Sequence, residues 1–541
     1  MKKNRLQRAV NGQWFIVALA ALIGAVVFIA VYGVRVLVPT NVDWLYVGGD
    51  LSQHYIGWEF FRSSVWSLPL GVAGDLAYPH GIAITFMDSI PLFAIPAKLF
   101  SGVLPEHFQY FGWWGLFSFS AIGGLAARIM QRWTRDPFII VATSLFLLAS
   151  PVVLQRMFTH TALAGHWIIL MAVYGLVWGR HWSVRKSIIF WSLVLSLSVL
   201  IHPYFLVMNL FLMTVCLAMR YVYLKNLSIE LLLPLTFALL TTWIIGGFTF
   251  SNISGIDFGK SGYDVAAPFA ASGWSFFDGP TDVVHSETFA YAGLGGILLV
   301  AMAGGLAFAQ RSKVYKTIHK YRWRSLFIIL LFIAFLLFAL GPTMRVGGIV
   351  VFDYSDSIPA LIEKIWAVFR VTARVMWPVY YIVMLGALFV IVRWSRNSIA
   401  ARVLVIVVCV VQLIDILGSP QVQERHERFV NAGNAQYASP LQDSAWSEMI
   451  QGRKHVVYLG DLYESKFVAI SQYCIKYDLT LNTGYFARKP TSAIQATIAN
   501  AKEDLKNGSI ASDTIYLYDQ PYETATNLQT KHIDNYIVTI K

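Results

Sequence analysis

Apolar positions along this chain gather in long unbroken runs instead of recurring at a helix or strand period. A run of about 17–25 apolar residues is long enough to cross a bilayer as a helix. Such runs fall near residues 14–38, 108–127, 137–155, 163–179, 187–201, 204–222, 228–248, 288–309, 325–341, 375–392 and 400–417. The pattern predicts an α-helical polytopic membrane protein with about eleven transmembrane helices. Two of the runs meet at His202-Pro203, where proline blocks helical continuity. The first run follows "MKKNRLQR", exceeds the length of a signal-peptide core and has no small-residue cleavage site, so it reads as an uncleaved signal anchor.

The pattern changes after Gly418-Ser419-Pro420. From there alternating segments predict strands at 455–460, 513–518 and 535–540, with helices near 440–451, 464–475 and 491–507. The expected division is therefore a transmembrane domain over 1–418, with a large first outer loop at 39–107, and a small soluble α/β domain over 419–541. That C-terminal domain has no Gly-rich phosphate loop. Composition agrees with the membrane class, since 57% of the 541 residues are hydrophobic and only 13% are charged. Cys216, Cys409 and Cys474 are too few and too scattered for a disulfide framework.

The net charge of +12 is explained by topology. Lys2, Lys3, Arg5, Arg8, Arg128, Arg132, Arg135, Arg180, Arg185, Lys186, Arg220, Lys225, the run from Arg311 to Arg324, Arg393, Arg396 and Arg402 fall in alternate loops almost free of acid. The remaining loops hold Asp43, Asp50, Glu59, Asp75, Asp88, Glu106, Asp257, Asp264, Asp278, Asp282, Glu287, Asp353, Asp356 and Glu363. The positive-inside rule makes the first set cytoplasmic and puts the N-terminus inside and the C-terminal domain outside. No nucleic-acid motif accompanies the charge. Three outer loops, 39–107, 249–287 and 342–374, are long, so function is expected on that face.

The first loop opens with "YVGGDLSQHYIGWEFFR", residues 46–62. Gly48 and Gly49 let the backbone turn sharply and aim Asp50 at the membrane surface, where a carboxylate can serve as general base on a hydroxyl. Asp50 equally fits the N-cap of the helix that follows, with Gln53 in the capping-box position. Residues 50–66 suit a helix lying on the membrane, with an apolar stripe of Leu51, Tyr55, Trp58, Val65 and Trp66. His54, one turn after Asp50, is placed to share a proton or a substrate hydroxyl, or is a solvated loop histidine. Glu59 and Arg62 read as surface or structural charges, with Arg62 within reach of a lipid phosphate. Asp88, in "FMDSIPL", is either the cap of a second amphiphilic helix interrupted at Pro96 or a substrate or metal ligand.

Farther along, "LQRMFTHTALAGHW" brings Arg156, His160 and His166 to an outer span end, and His202-Pro203-Tyr204 forms another outer turn. The histidines lack a metal-ligand spacing and fit hydrogen bonding to a polar substrate better than zinc. In "VFRVTARVMWPVYY", Arg370 and Arg374 stand one helical turn apart among apolar and aromatic residues. Such a pair suits a phosphate or diphosphate headgroup, or snorkelling to interfacial lipid. The loop 251–287, with "SGWSFFDGP", combines aromatics and acids that suit sugar stacking or an interfacial aromatic belt.

Taken together, the N-in first span, the large first outer loop with an acid near its start, the span number and the outer C-terminal domain resemble the GT-C class of polytopic glycosyltransferases. More narrowly, "GGDLSQHYIGWEFFR", "MDSIPL", "HTALAGHW", "HPY" and "FRVTARVMWP" resemble a bacterial membrane family assigned to that class, over essentially the first 418 residues. The resemblance implies an enzyme of the bacterial cytoplasmic (inner) membrane that takes a sugar from a polyprenyl-phosphate donor to a cell-envelope glycan or lipid acceptor, with inversion. It assigns the base to Asp50, and Arg370 and Arg374 become candidates for neutralising the departing phosphate. Class members carry adjacent paired acids after the first span, whereas one acid stands here. A divalent metal is therefore left open without a motif that calls for it, and no other cofactor is indicated. The competing readings are a transporter or flippase of lipid-linked glycans and a noncatalytic envelope assembly protein.

Overall fold

In hydrocarbon, an isolated apolar run can satisfy its backbone polar groups only by winding into a helix. The computed structural model is helical at every one of the apolar runs. It describes residues 2–224, 228–249, 261–277, 286–395, 397–433, 439–488 and 490–541. Asp257, Asp278 and Asp282 of the acidic outer set, and Lys225 and Arg396 of the basic set, lie outside the described residues.

Among the described residues seven helices are long and apolar enough to span: Gly12–Tyr32, Thr161–His181, Val184–Ile201, Pro203–Tyr221, Arg322–Leu340, Thr372–Trp394 and Ser398–Leu417. Two bent pairs raise the number to nine. Two of the eleven expected spans thus remain outside that set. One is Phe111–Met130, a helix of 20 residues whose glycines, serines and tryptophans dilute its hydropathy. The other is the shorter apolar helix Ile229–Ile244. The expected span at 137–155 is really a pair, Pro137–Leu148 and Pro151–Thr159, bent by 44°. Pro151 lacks the N–H that would continue the first helix, and its ring clashes with the preceding turn.

The chain forms two compact units. One comprises Met1–Val38, Phe111–Ala238 and Ser254–Asn431 and holds the long apolar helices. Its tightest seam joins the helix Lys2–Tyr32 to Phe111–Met130. A Cβ at Gly24 would stand 2.2 Å from the Phe119 carbonyl oxygen, and one at Gly123 would stand 2.2 Å from that of Ala20. Small residues let backbones approach this closely where hydrocarbon gives no hydrophobic drive to associate. Elsewhere Asp136 caps Pro137–Leu148 by accepting from the Phe138 and Ile139 amides, and its second oxygen accepts from Arg402 at 2.9 and 2.7 Å.

The other unit comprises Pro39–Tyr110, Leu239–Ile253 and Ala432–Lys541. Its centre is a five-stranded sheet in the order Thr480–Leu481, His455–Tyr458, Thr514–Tyr518, Tyr536–Ile540, Gln529–Ile533. The first two pairings are parallel and the last two antiparallel. The helices Glu464–Lys476 and Thr491–Asn507 belong to the same region. The segment around Leu76 extends the sheet: Leu76 bridges to Leu481 in parallel, and the Tyr78 amide donates to the Leu481 carbonyl at 3.0 Å. The Tyr78 ring stacks on His455 with centroids 4.5 Å apart. Helix Gly49–Ser63 packs against Glu464–Lys476, so the helix carrying Asp50 is supported by residues from the far end of the sequence.

The glycine seam gives a test of the helical unit. Gly123→Val drives a branched side chain into the Ala20 backbone and should cost about 1–3 kcal/mol. The expected result is a lower Tm for the detergent-solubilised protein by differential scanning fluorimetry, and an unchanged Tm would show that the seam is dispensable.

Candidate functional site

The turn before Asp50 is built by glycine. Gly48 and Gly49 have φ of +86° and +60°, values that a side chain strongly disfavours. The helix then runs Gly49–Ser63 with Gly48 as its N-cap, and the Gly48 amide donates to the Ser52 hydroxyl at 2.9 Å. Asp50 is therefore not the cap, and Gln53 does not close a capping box. The Gln53 amide donates instead to the Phe86 carbonyl at 3.1 Å. Asp50 sits half-buried in the first turn, where the helix dipole favours an anion.

The helix does not lie on a surface. Every residue from Leu51 to Phe61 is buried, including the apolar stripe and the polar face opposite it, while Val65 and Trp66 beyond its end are exposed. The reason is the segment that follows. A Cβ at Gly57 would stand 2.5 Å from both Met87 Cβ and Ser89 Oγ, so glycine makes room for the 84–90 turn to cover the second face. The Ser89 hydroxyl donates to the His54 carbonyl at 2.7 Å, and the Tyr110 hydroxyl donates to the Ser89 carbonyl. His54 is accordingly a buried histidine and not a solvated one.

Asp88 is not a helix cap either. The helix Pro91–Leu99 is preceded by Ile90, and Asp88 and Ile90 hold φ of +54° and +50°. Positive φ at two non-glycine residues, one of them β-branched, is backbone strain of a kind that clusters at functional sites. Asp88 is buried, and its carboxylate and the His54 ring offer ligand atoms within 4.8 Å of each other. A carboxylate oxygen and an imidazole nitrogen are donor types that a divalent cation accepts.

The other two charges of this helix are taken up internally. Burial pushes the Glu59 carboxyl up to about 8, against the opposing pull of Arg62 and the Tyr55 hydroxyl. Glu59 is thus a buried acid: of the two places expected for it, at the surface or within the structure, it takes the second. Arg62 donates to the carbonyls of Ser101, Leu104, Pro105 and Glu106 at 3.2, 3.0, 2.7 and 2.8 Å. Its guanidinium closes the loop after Pro91–Leu99 and is not held out for a lipid phosphate. Lys98 is buried over the rings of Phe61 and Trp66, 4.1 and 4.6 Å from their centroids. Burial lowers its ammonium to about 8.

The helical unit gathers a second set of groups. Arg156, on Pro151–Thr159, and Arg374, in the 3-10 turn Thr372–Met376, both pair with the carboxylate of Glu287. Arg156 also donates to the Glu287 carbonyl at 3.1 Å. Burial alone raises the Glu287 carboxyl, but the guanidinium groups of Arg374 and Arg156 outweigh it and hold it down at about 2. The Arg374 guanidinium lies 5.0 Å from the Tyr204 ring centroid, and the Tyr204 hydroxyl accepts from the Val371 amide at 2.8 Å. His202 stacks on Tyr204 and accepts the Tyr204 amide on Nδ1 at 3.2 Å. The His160 ring lies 5.6 Å from that of His202.

The expected pairing of Arg370 with Arg374 does not occur. A bend and a 3-10 turn replace the continuous helix that would have aligned them, leaving Arg370 exposed and Arg374 buried. The arginine that meets Arg374 across a carboxylate is Arg156.

Beside this cluster lies an apolar chamber of about 270 Å³. Ser150, His166, Trp377, Tyr380, Tyr381 and Met384 are among its walls. His166 shares a hydrogen bond between Nδ1 and the Tyr381 hydroxyl at 2.9 Å, and its ring lies 4.6 Å from Trp377. The Arg156 guanidinium stands 5.7 Å from the same Trp377 ring, so one indole belongs to both the cluster and the chamber wall. Sequence reasoning took Tyr204 only as part of a turn and did not single out Glu287, Trp377 or Tyr381. The aromatic run after Arg374 was a usable signal for the last two, whereas Glu287 had none beyond its outer-loop acidity. It also missed Asp415, whose carboxylate accepts from Ser275, from Tyr291 at 3.1 Å and from the Leu294 amide at 2.7 Å, a fully engaged structural acid.

A family model described as "Domain of unknown function (DUF6311)" matches residues 21–417, and one described as "DUF6311 C-terminal domain" matches 445–541. No protein of curated function matches the chain. Among solved structures, the chain is similar to the archaeal oligosaccharyltransferase AglB from Archaeoglobus fulgidus, in complex with an inhibitory peptide and a dolichol-phosphate. That similarity covers 92% of this chain and 69% of the other at 12% identity, with a TM-score of 0.27.

The depressed Glu287 carboxyl makes stability depend on pH. A folded-state value near 2 against an ordinary 4.5 means the ion pairs contribute fully above about pH 4.5 and fade as pH falls toward 2. Glu287→Gln should lose on the order of 1–3 kcal/mol at neutral pH, by leaving two guanidinium groups without their anion. Thermal unfolding of wild type and Glu287→Gln should differ at pH 7 and converge as the pH is lowered below 4. A constant difference would rule out the ion-pair account.

Proposed function

We propose, taking as premise that the chain belongs to the DUF6311 family, that it is a membrane glycosyltransferase acting on a sugar carried by a lipid phosphate. The observation that carries this reading is the arginine pair set beside an apolar chamber: Arg156 and Arg374 share Glu287, and Arg156 stands against Trp377 of the chamber wall. A lipid-linked phosphate needs both at once. Guanidinium groups bind phosphate oxygens bidentately, and an apolar cavity takes the first part of the chain. His160, His166, His202 and the exposed Arg370 are further candidates for contacts to sugar hydroxyls and phosphate oxygens.

In this reading the donor is a polyprenyl-phosphate sugar and the acceptor a hydroxyl of an envelope glycan or lipid. The Asp50 carboxylate takes the acceptor proton while the acceptor oxygen attacks the anomeric carbon. The bond from that carbon to the phosphate oxygen breaks, its electron pair stays on the phosphate, and the anomeric configuration inverts. Arg156 and Arg374 stabilise the charge that develops on the leaving phosphate. His54 and Asp88 serve acceptor binding, and they are the residues that would hold a divalent cation. The alternation of basic and acidic loops supports an N-in orientation in a bacterial cytoplasmic membrane, with Asp50 and the C-terminal region outside.

One observation favours a second reading, translocation of a lipid-linked glycan. The segment 137–159 is a broken pair with Arg156 on its second half, and broken helices frame binding sites in transporters. Flux across proteoliposomes without glycosidic bond formation would decide for it.

Asp50→Asn keeps the shape of the side chain and removes the base. Purified, reconstituted protein supplied with polyprenyl-phosphate sugars should lose about 10²–10⁴-fold in kcat. Arg374→Ala should lower kcat/KM by about tenfold to hundredfold, through the missing charged contact. The donor is identified by mass spectrometry of envelope glycans and lipid-linked sugars from a deletion strain, where one sugar should vanish and its lipid donor accumulate. Unchanged transfer by Asp50→Asn would remove Asp50 from the mechanism.

A further inference from the structure

Between the spans Arg322–Leu340 and Thr372–Trp394 the chain forms an antiparallel hairpin, Thr343–Val346 paired with Ile349–Asp353, and then the helix Ala360–Ala367. The hairpin is held at both ends. At its tip the Asp264 carboxylate accepts the amides of Gly347 and Gly348 at 2.9 and 2.7 Å. At its base the Tyr354 amide donates to the Pro342 carbonyl at 3.1 Å, and the Thr372 hydroxyl donates to the Ala339 carbonyl at 2.9 Å.

This fixed ribbon shows its apolar side chains outward on both faces. A bulge at Val351 shifts the register, so Ile349 and Phe352, opposite Val346 and Met344, point one way and Val350, opposite Arg345, the other. Ile349, Phe352 and Val350 are 71%, 62% and 44% exposed, so neither face is covered. An isolated two-stranded ribbon is marginal in water, and a β-branched edge left bare is an aggregation hazard. The helix that follows exposes Leu361 and Ile362 in the same way.

The occupant follows from continuity and from the two-sided exposure. The hairpin begins three residues after a candidate span whose own Ile329, Phe332 and Leu337 are exposed apolar side chains, and the chain enters the next candidate span at Thr372. Its strands therefore start at the level where the hydrocarbon ends. A flat protein partner would cover one face of the ribbon, whereas a fluid apolar medium covers both. Tyr354 and Trp366 add the amphipathic aromatics typical of membrane–water boundaries, with Arg345, Asp353, Glu363 and Lys364 nearby in the sequence.

We propose that residues 343–353 and the helix Ala360–Ala367 form an interfacial anchor, inserted into the boundary between lipid headgroups and acyl chains. The anchor adjoins the turn Thr372–Met376 that carries Arg374, because Thr372 is tied to the end of the preceding span. It thus holds that turn at headgroup depth, where a lipid-borne phosphate arrives. The inference depends on the membrane character of the chain and not on glycosyl transfer.

Depth-dependent quenching tests it on the full-length protein. Cys216, Cys409 and Cys474 are buried, so a cysteine added by Phe352→Cys or Ile349→Cys takes an environment-sensitive fluorophore selectively. Ser512→Cys, at an exposed position of the C-terminal region, is the aqueous control. Each labelled protein is reconstituted in phosphatidylethanolamine and phosphatidylglycerol vesicles, with or without phosphatidylcholine spin-labelled near the carbonyl end of its acyl chain. The anchor predicts loss of about half or more of the fluorescence at positions 349 and 352, and no loss at 512. Equal quenching at 349, 352 and 512 overturns it. Efficient covalent dimer formation through Phe352→Cys with a short bifunctional thiol reagent also overturns it, by assigning the face to a second copy.

Discussion

Two guanidinium groups facing one another beside apolar walls repel, and they stay together only if an anion stands between them. Glu287 is that anion for Arg156 and Arg374. Because its partners come from the broken helix Pro151–Thr159 and the turn Thr372–Met376, one carboxylate sets the spacing of two elements remote in sequence. The Trp377 indole and the His166–Tyr381 hydrogen bond then define the wall of the apolar chamber next to it. Under the proposed function, a phosphate entering this cluster would meet a carboxylate already in place, so the arginines would exchange one anion for another or share two. Such a site is ordered before its ligand arrives, which lowers the ordering cost of binding.

The helix bearing Asp50 follows a different logic. Its polar residues are not displayed on a surface but enclosed, and enclosure moves their chemistry. Glu59 and Lys98, at opposite ends of the charge scale in water, are both drawn by burial toward the neutral range. Arg62 spends its guanidinium on four carbonyls of one loop. The strained backbone at Asp88 and Ile90 belongs to the same enclosure, since the 84–90 turn is what covers the helix.

Much of this was legible in the sequence, for identifiable reasons. Bilayer thickness fixes the length of an apolar run, so the helices could be placed from composition alone, but the break at Pro151 was passed over inside one expected span. Gly48-Gly49 announced the sharp turn before Asp50 because positive φ is written in residue type. Burial of the following helix was not legible, because it depends on the 84–90 turn and on Glu464–Lys476. The Arg370–Arg374 reading failed because it assumed an α-helix where a bend and a 3-10 turn occur. Glu287 was one outer acid among many, and only tertiary structure distinguishes it from the rest.

The bridge between Leu76 and Leu481, with the Tyr78–His455 stack beside it, joins residues about 400 positions apart. A ribosome adding about 5–20 residues per second needs tens of seconds to make that intervening chain. During that interval the segment carrying Asp50 has already left the ribosome, while the strand and the helix Glu464–Lys476 that support it do not yet exist. Its shape therefore arises late and all at once, and a chain that stops short of residue 481 leaves it without support. In effect, a later stretch of the chain certifies an earlier one.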